Sequence, residues 1–379
     1  MAAKTVKSSR LESLDILRGF DLFCLVGLEA VVHALSHAAG NSWLGGIARA
    51  FTHADWVGFT PWDLVMPLFM FMAGVTIPFT RTAASGGNTR IWLRVLKRVV
   101  LLWLFGMMCQ GNLLALDPDR VYVYTNTLQA IAAGYLIAVA LYLTSSLEFQ
   151  AVCALLFLAL YWAGMEFITI DGFGGGDYTP QANFAEWVDR VCLGRYRDGA
   201  VAGAGGTVVF ARGYHYTWIW STLTFAVTVM LGVFAGALLR NGKVGEIRKT
   251  VLLALGGVVL VGVGLMLGHW HPIIKRIWTA SMTLFSGGLC WLLMALFYYV
   301  IDCLGLHRGL RWLKVYGMNS IVAYMLMSCV NFRCVAESFI YGLAKYMGAW
   351  YEVVVAAFCS VIIYLILLLL YRNKIFLKV

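Results

Sequence analysis

An all-α, polytopic integral membrane protein with about ten transmembrane helices is the fold class that this 379-residue sequence predicts. Three observations carry the prediction. Hydrophobic residues make up 61% of the chain and charged residues only 13%, against roughly a quarter charged in soluble proteins, and the mean hydropathy is +0.78. The apolar residues gather into blocks of the roughly 20 residues that a helix needs to cross a ~30 Å hydrocarbon core. Lysine and arginine collect in alternate loops, the bias expected of cytoplasmic segments.

The blocks lie near residues 14–37, 59–80, 91–112, 124–144, 149–169, 217–239, 250–268, 278–301, 314–332 and 350–371. The first is too long for the apolar core of a signal peptide and has no small-residue cleavage site after it, so no cleaved leader is expected. The segment 333–348 is too polar and too short to span, and reads as a re-entrant or surface helix. Placing the N-terminus in the cytoplasm puts most of the 29 basic residues inside, in the groups Lys4–Arg18, Arg81–Arg98, Arg240–Lys249, Arg308–Lys314 and Arg372–Lys378. An even number of spans then brings the C-terminus to the same side. The net charge of +10 follows from this topology, and no nucleic-acid partner is needed to explain it.

The chain reads as one membrane domain, 1–379, with a single long outer loop at about 169–216. That loop carries two glycine clusters around Asn183-Phe184-Ala185-Glu186-Trp187-Val188-Asp189-Arg190. A loop this long is usually functional or disordered; aromatic and acidic side chains there suit a sugar-like ligand, and a loose glycine-rich lid fits the composition equally well. The nine cysteines are odd in number, lie mostly within spans and show no metal-type or disulfide-type spacing, which fits small apolar packing residues.

Ionisable groups at membrane depth are costly and mark substrate paths or reaction centres. His53 opens the stretch leading into the second span, and Asp63 follows it at the lip of that span. Glu29 lies in the first span at a similar depth, one helical face with His33 and His37. A carboxylate beside a histidine fixes its tautomer and improves it as a base, so His53, Glu29 and Asp63 are the candidate catalytic groups. A metal at Glu29, His33 and His37, or at His269 and His271, lacks a companion motif and none is predicted. The arginine- and lysine-rich segment Arg81–Arg98 is either a solvated positive loop or a phosphate-binding one.

Several motifs, each weak alone, occur in order along the chain. They are Arg10-Leu11-Glu12-Ser13-Leu14-Asp15-Ile16-Leu17-Arg18-Gly19, then His53-Ala54-Asp55-Trp56-Val57-Gly58, Asp63-Leu64-Val65-Met66-Pro67 and Phe71-Met72-Ala73-Gly74. Val188-Asp189-Arg190, Gly232-Val233-Phe234-Ala235-Gly236, Gly317-Met318-Asn319-Ser320 and the ending Tyr371-Arg372-Asn373-Lys374 follow. Together they resemble the heparan-α-glucosaminide N-acetyltransferase family of transmembrane acyltransferases, which has bacterial members.

The resemblance implies transfer of the acetyl group of cytoplasmic acetyl-CoA to the amino group of glucosamine, or of a glycan ending in an amino sugar such as a heparan sulfate-like chain, across the membrane. It places the family's essential histidine at His53. It implies substrate contacts from Trp56, Trp187, Asp189 and Asn319, and a site for acetyl-CoA built from Arg18, Arg94, Lys97, Arg98, Lys314 and Lys378. A homodimer in a bacterial inner membrane, with the lipid bilayer as its surroundings, is also implied. The chain departs from the pattern at Glu29, where the family has asparagine, and at Val57 in place of the asparagine of W-N-G. Starting nine residues before the first motif, it is expected to lack the large lumenal domain of animal members. The competing class is an amino-sugar permease with Glu29 and His53 as a proton relay; the halved repeats and broken helices common in transporters are not visible in the sequence.

Overall fold

The computed structural model describes residues 11–80, 88–111, 113–117, 121–203, 207–210 and 216–377. It opens with α1 (Glu12–Leu22) and α2 (Glu29–Ala39), joined by a π-helical stretch at Phe23–Leu28, then α3 (Ser42–Ala50) and α4 (Val65–Thr76). Next come α5 (Asn88–Cys109), α6 (Thr127–Thr144) and α7 (Leu147–Phe167). Two small hairpins, β1 (Thr169–Ile170) with β2 (Phe173–Gly174) and β3 (Ala200–Ala202) with β4 (Val208–Phe210), flank α8 (Phe184–Leu193). The remainder is α9 (Thr222–Arg240), α10 (Glu246–Leu267), α11 (Ala280–Phe297), α12 (Arg311–Met318), α13 (Ser320–Cys329), α14 (Phe332–Ile340), α15 (Ala344–Met347) and α16 (Trp350–Arg372). The protein is an all-α polytopic membrane protein.

Among the described residues, eight helical segments are long and apolar enough to cross a bilayer unaided. The pair Ser320–Cys329 and Phe332–Met347, bent by 73°, adds a ninth if it is one broken span. α5 has the length, at 22 residues, and carries Arg90, Arg94, Lys97 and Arg98 in its first half. The block expected as one helix over 314–332 is corrected by the structure: α12 ends at Met318, and α13 starts afresh at Ser320 after a break at Asn319 (φ −123°, ψ 43°). The π-helical stretch likewise rotates the Glu29–His33–His37 face relative to α1, a phase change that a regular 3.6-residue period does not foresee.

The helix from Pro61 to Phe79 and α9 are buried along most of their length, whereas α10 and α16 are largely exposed. In a bilayer, that exposed apolar surface faces lipid. The centre of the bundle is closed by glycine. A Cβ on Gly74 of α4 would lie 1.9 Å from the Val229 carbonyl oxygen of α9, and one on Gly232 would lie 2.0 Å from that of Phe71. α1 and α12 meet in the same way: a Cβ on Gly19 would stand 1.9 Å from the Leu313 oxygen and one on Gly317 2.0 Å from that of Asp15. With no driving force from water between spans, such close backbone approach supplies the packing.

The outer loop, in its described part, is a folded cap. Arg197 is fully buried and bonds Glu186, whose other oxygen takes Arg190 Nε at 2.7 Å. Thr125 and Trp218 both donate to Asp198, at 2.7 and 3.3 Å, stitching the cap to the bundle.

Replacing Gly232 by alanine forces the α4–α9 backbones apart and is expected to cost about 1–3 kcal/mol, the usual range for overpacking. Thermal denaturation in detergent checks this. The midpoint should fall for Gly232→Ala and hold for Gly242→Ala, where a Cβ meets nothing within 4 Å; equal midpoints would contradict the packing account.

Candidate active site

Asp63 organises the site. It is the third residue of the turn Pro61–Leu64, where Pro61 presets the backbone and Thr60 and Asp63 form a reciprocal capping box. Its side chain is 1% exposed. Oδ2 accepts hydrogen bonds from Thr60 N at 2.9 Å and Ala54 N at 3.2 Å, with the Thr60 hydroxyl, which donates to Thr52 O at 2.6 Å, also 3.1 Å away. Oδ1 faces His53 Nδ1 at 2.8 Å. An ionised carboxylate only accepts, so Nδ1 carries the proton and Nε2 keeps the lone pair. The loop from Thr52 to Thr60 is thereby wrapped around one carboxylate, and His53 is aimed by it.

The third member was absent from the sequence reading. Lys275 Nζ lies 2.9 Å from His53 Nδ1, 3.3 Å from Nε2 and 3.5 Å from Asp63 Oδ1. It stands on the connection between α10 and α11, which hydrogen bonds hold stiffly. Gly58 N donates to Ile273 O at 2.8 Å, Thr217 N to Arg276 O at 3.1 Å and Ser221 Oγ to Ile277 O at 2.9 Å. His271 locks the same connection: Nε2 accepts from Ala280 N at 3.0 Å, while Nδ1 donates to the Tyr178 hydroxyl at 2.8 Å, which donates on to Glu166 at 2.8 Å. Burial pushes His271 down to about 3, so it stays neutral and serves as a brace. Burial likewise pushes the Lys275 ammonium down to about 8, with Asp63 opposing the shift.

Two cavities meet inside the bundle. One, about 300 Å³, is lined by His53, Lys275, Trp62, Gln110, Asn126 and Tyr216 among others. The other, about 290 Å³, is lined towards the opposite end by Arg18, Arg98, Thr76, Thr80, Ser320 and Phe376. Phe69, Thr127 and Tyr324 line both, so the cavities adjoin at these three side chains, the neck. The Arg98 guanidinium stacks 4.2 Å over the Tyr135 ring, and its Nε is buried with no hydrogen-bond partner among the described residues.

The residues singled out in the sequence are thus distributed unevenly. His53 and Asp63 are in contact; Glu29 is half-buried, within electrostatic range of Lys275 and His33, and makes no hydrogen bond among the described residues. His33 is occupied with Phe51 O at 3.2 Å. Trp56 Nε1 bonds Tyr178 O at 2.8 Å, and Trp187 Nε1 bonds Asp171 at 3.1 Å, so both indoles tie loops together. Asp189 is corrected as a sugar contact: it is wholly buried and holds the backbone N–H groups of Trp218 and Ile219 at 2.7 and 2.8 Å. Asn319 is corrected likewise, because its amide ties down the C-terminal segment through Ile375 O at 3.1 Å and Leu377 N at 3.4 Å. Arg18 and Arg98 both line the second cavity. Arg94 and Lys97 are exposed, Lys314 pairs with Glu12 at 2.9 Å, and Lys378 lies outside the described residues.

No protein-family model matches the chain. It is 26% identical over 364 residues to human heparan-α-glucosaminide N-acetyltransferase, covering 83% of this chain and 52% of that protein. The mouse protein of the same name is 24% identical over 368 residues, covering 84% and 53%. The chain spans about half the length of the curated relatives it matches, and the resemblance carried by the motifs extends over most of this sequence.

Because burial lowers Lys275, its labelling by a small amine reagent should rise through pH 8, while ordinary exposed lysines follow near 10.4. Asp63→Asn removes the charge that supports the ammonium, so the midpoint should move lower still. Peptide mass mapping across pH reads both; a Lys275 midpoint near 10, unchanged by Asp63→Asn, would contradict the triad.

Proposed function

We propose that this protein is a transmembrane acetyltransferase that moves the acetyl group of acetyl-CoA onto the amino group of glucosamine or a terminal amino sugar. The observation that carries the reading is the pair of cavities meeting at one neck, with arginines at one end and a carboxylate-aimed histidine at the other. The names of the human and mouse relatives support the reaction class. The positive-inside bias supports an orientation with both ends of the chain in the cytoplasm, in a bacterial inner membrane, so that the Arg18–Arg98 cavity opens towards acetyl-CoA and the His53 cavity towards the acceptor.

The chemistry follows from the residues. Guanidinium groups bind phosphate with planar, charge-assisted hydrogen bonds, and the Arg98 Nε has no hydrogen-bond partner among the described residues. An amine acceptor arrives mostly as ammonium and must lose a proton before its lone pair can attack a thioester carbonyl. His53 Nε2 takes that proton. Asp63, bonded to Nδ1, holds the productive tautomer and balances the imidazolium that forms. Lys275 in its charged form places a cation beside the same cavity, where negative charge develops on the thioester oxygen and then on the departing thiolate. The proton relay of the permease reading needs Glu29 and His53 to exchange protons, and Glu29 makes no hydrogen bond among the described residues.

His53→Ala should lower transfer by roughly 10²–10⁴-fold, the range typical of general acid–base catalysis, with acetyl-CoA binding retained. Arg98→Ala should show the reverse split, weaker acetyl-CoA binding that tracks ionic strength in the unmodified protein. Glu29→Gln should cost less than His53→Ala. The assay is acetylation of glucosamine by purified protein in detergent, with binding measured separately. If His53→Ala works at near the wild-type rate, the histidine has no part in the reaction; if acetyl-CoA does not bind at all, the function itself is wrong.

A further inference from the structure

Tyr324 sits where the two cavities join. It is carried by the short α13, which the break at Asn319 frees from the line of α12 and which the Asn319 amide anchors against the C-terminal segment. Its hydroxyl accepts a hydrogen bond from Asn126 Nδ2 at 3.3 Å. The amide of Asn126 has only one way to face. Its Oδ1 caps α6 by accepting from Leu128 N at 2.9 Å, so its NH₂ end turns to the phenol. Gln129 fixes the same turn, with Oε1 accepting from Thr125 N at 2.7 Å and Asn126 N at 3.0 Å. With Asn126 donating to its oxygen, the phenol keeps its own O–H as a donor, and the Thr127 side chain stands beside it within hydrogen-bonding range. The other two neck side chains offer less: Phe69 is apolar, and the Thr127 hydroxyl is shared between Tyr324 and Met66 Sδ, the latter at 3.5 Å.

We propose that the Tyr324 hydroxyl is the catalytic donor that stabilises the oxyanion formed when the acceptor amine adds to the acetyl thioester, with Asn126 as its positioning residue. The assignment rests on the acetyl-transfer reading, and it concerns the thioester carbonyl. A thioester that has its phosphates at Arg18 and Arg98 and its acyl carbon within reach of an amine at His53 must lie across the neck. There the amine lone pair forms the C–N bond while the carbonyl π electrons move to oxygen, where the Tyr324 O–H meets them. His53 removes the nitrogen proton. When the C=O bond re-forms, the C–S bond breaks, and the CoA thiolate leaves with its electron pair and takes the nitrogen proton from His53, the earlier ammonium proton having passed through His53 to water. Nothing is oxidised or reduced, and the products are the N-acetyl amine and CoA thiol.

Tyr324→Phe keeps the ring that shapes the neck and removes only the donor. With the full chain in detergent, acetyl-CoA and glucosamine, kcat should fall about 10²–10³-fold, as for loss of one oxyanion donor, while acetyl-CoA binding and the KM for glucosamine stay near wild type. Infrared spectra of bound [1-¹³C]acetyl-CoA supply a readout that packing alone does not move. In the wild type the carbonyl band should lie below its position in water, and in Tyr324→Phe it should return towards it. A variant that binds acetyl-CoA and turns over at near the wild-type rate, or a wild-type carbonyl band unshifted from water, overturns the assignment and leaves acetyl transfer standing. A wild-type protein that binds acetyl-CoA and acetylates no amine overturns the acetyl-transfer reading and this assignment with it.

Discussion

A carboxylate that is 1% exposed inside a membrane protein must have its lone pairs answered, and Asp63 meets that demand with two backbone N–H donors on one oxygen and a histidine on the other. Everything at the outer end of the bundle follows from how this is done. Wrapping Ala54 and Thr60 around the carboxylate folds the loop that carries His53. The remaining negative charge draws in Lys275, whose own burial is tolerable only beside a counter-charge; removing one member of such a buried pair typically costs about 3–5 kcal/mol. Lys275 in turn requires a stiff connection between α10 and α11, which the neutral His271, Tyr178 and Glu166 chain and the backbone bonds to Gly58 and Thr217 provide. One buried charge therefore couples the loop after α3, the cap and the helix pair α10–α11.

The second constraint is the backbone-to-backbone approach at two helix crossings. Its residues come in pairs far apart in sequence: Gly19 faces the α12 backbone while Gly317 faces that of α1, and Gly74 and Gly232 relate α4 and α9 in the same way. These crossings set the wall of the Arg18–Arg98 cavity, since Arg18 precedes Gly19, Ala73 precedes Gly74, and Gly317 itself lines that cavity beside Met318. Short motifs that look unrelated along the chain, such as Arg18-Gly19 and Gly317-Met318-Asn319-Ser320, are two halves of single contacts.

That pairing explains what was legible in the sequence. Hydropathy and charge bias carry the all-α membrane class because the bilayer enforces apolar length and backbone self-satisfaction. His53 and Asp63 were visible because ionisable residues stand out at the start of an apolar helix and lie ten residues apart. Lys275 was not, since it lies 222 residues from His53; its one signal was a lysine in the outer connection, on the side that the charge bias leaves poor in basic residues. Asp189 and Asn319 misled because a polar residue within a motif looks the same whether it meets a ligand or a backbone amide. Glu29 drew attention through its cost in an apolar run, and the π-helical turn just before it changes the face it presents.

The central claim is that one continuous path joins a phosphate-binding end at Arg18 and Arg98 to an amine-binding end at Asp63, His53 and Lys275. A cryo-EM structure of the protein with a thioether analogue of acetyl-CoA tests it most directly. The account predicts nucleotide phosphates against Arg18 and Arg98, the pantetheine arm passing between Phe69, Thr127 and Tyr324, and the acyl carbonyl in the neck facing His53. Density for the nucleotide on the capped side, or an acyl group that never reaches the neck, would contradict it.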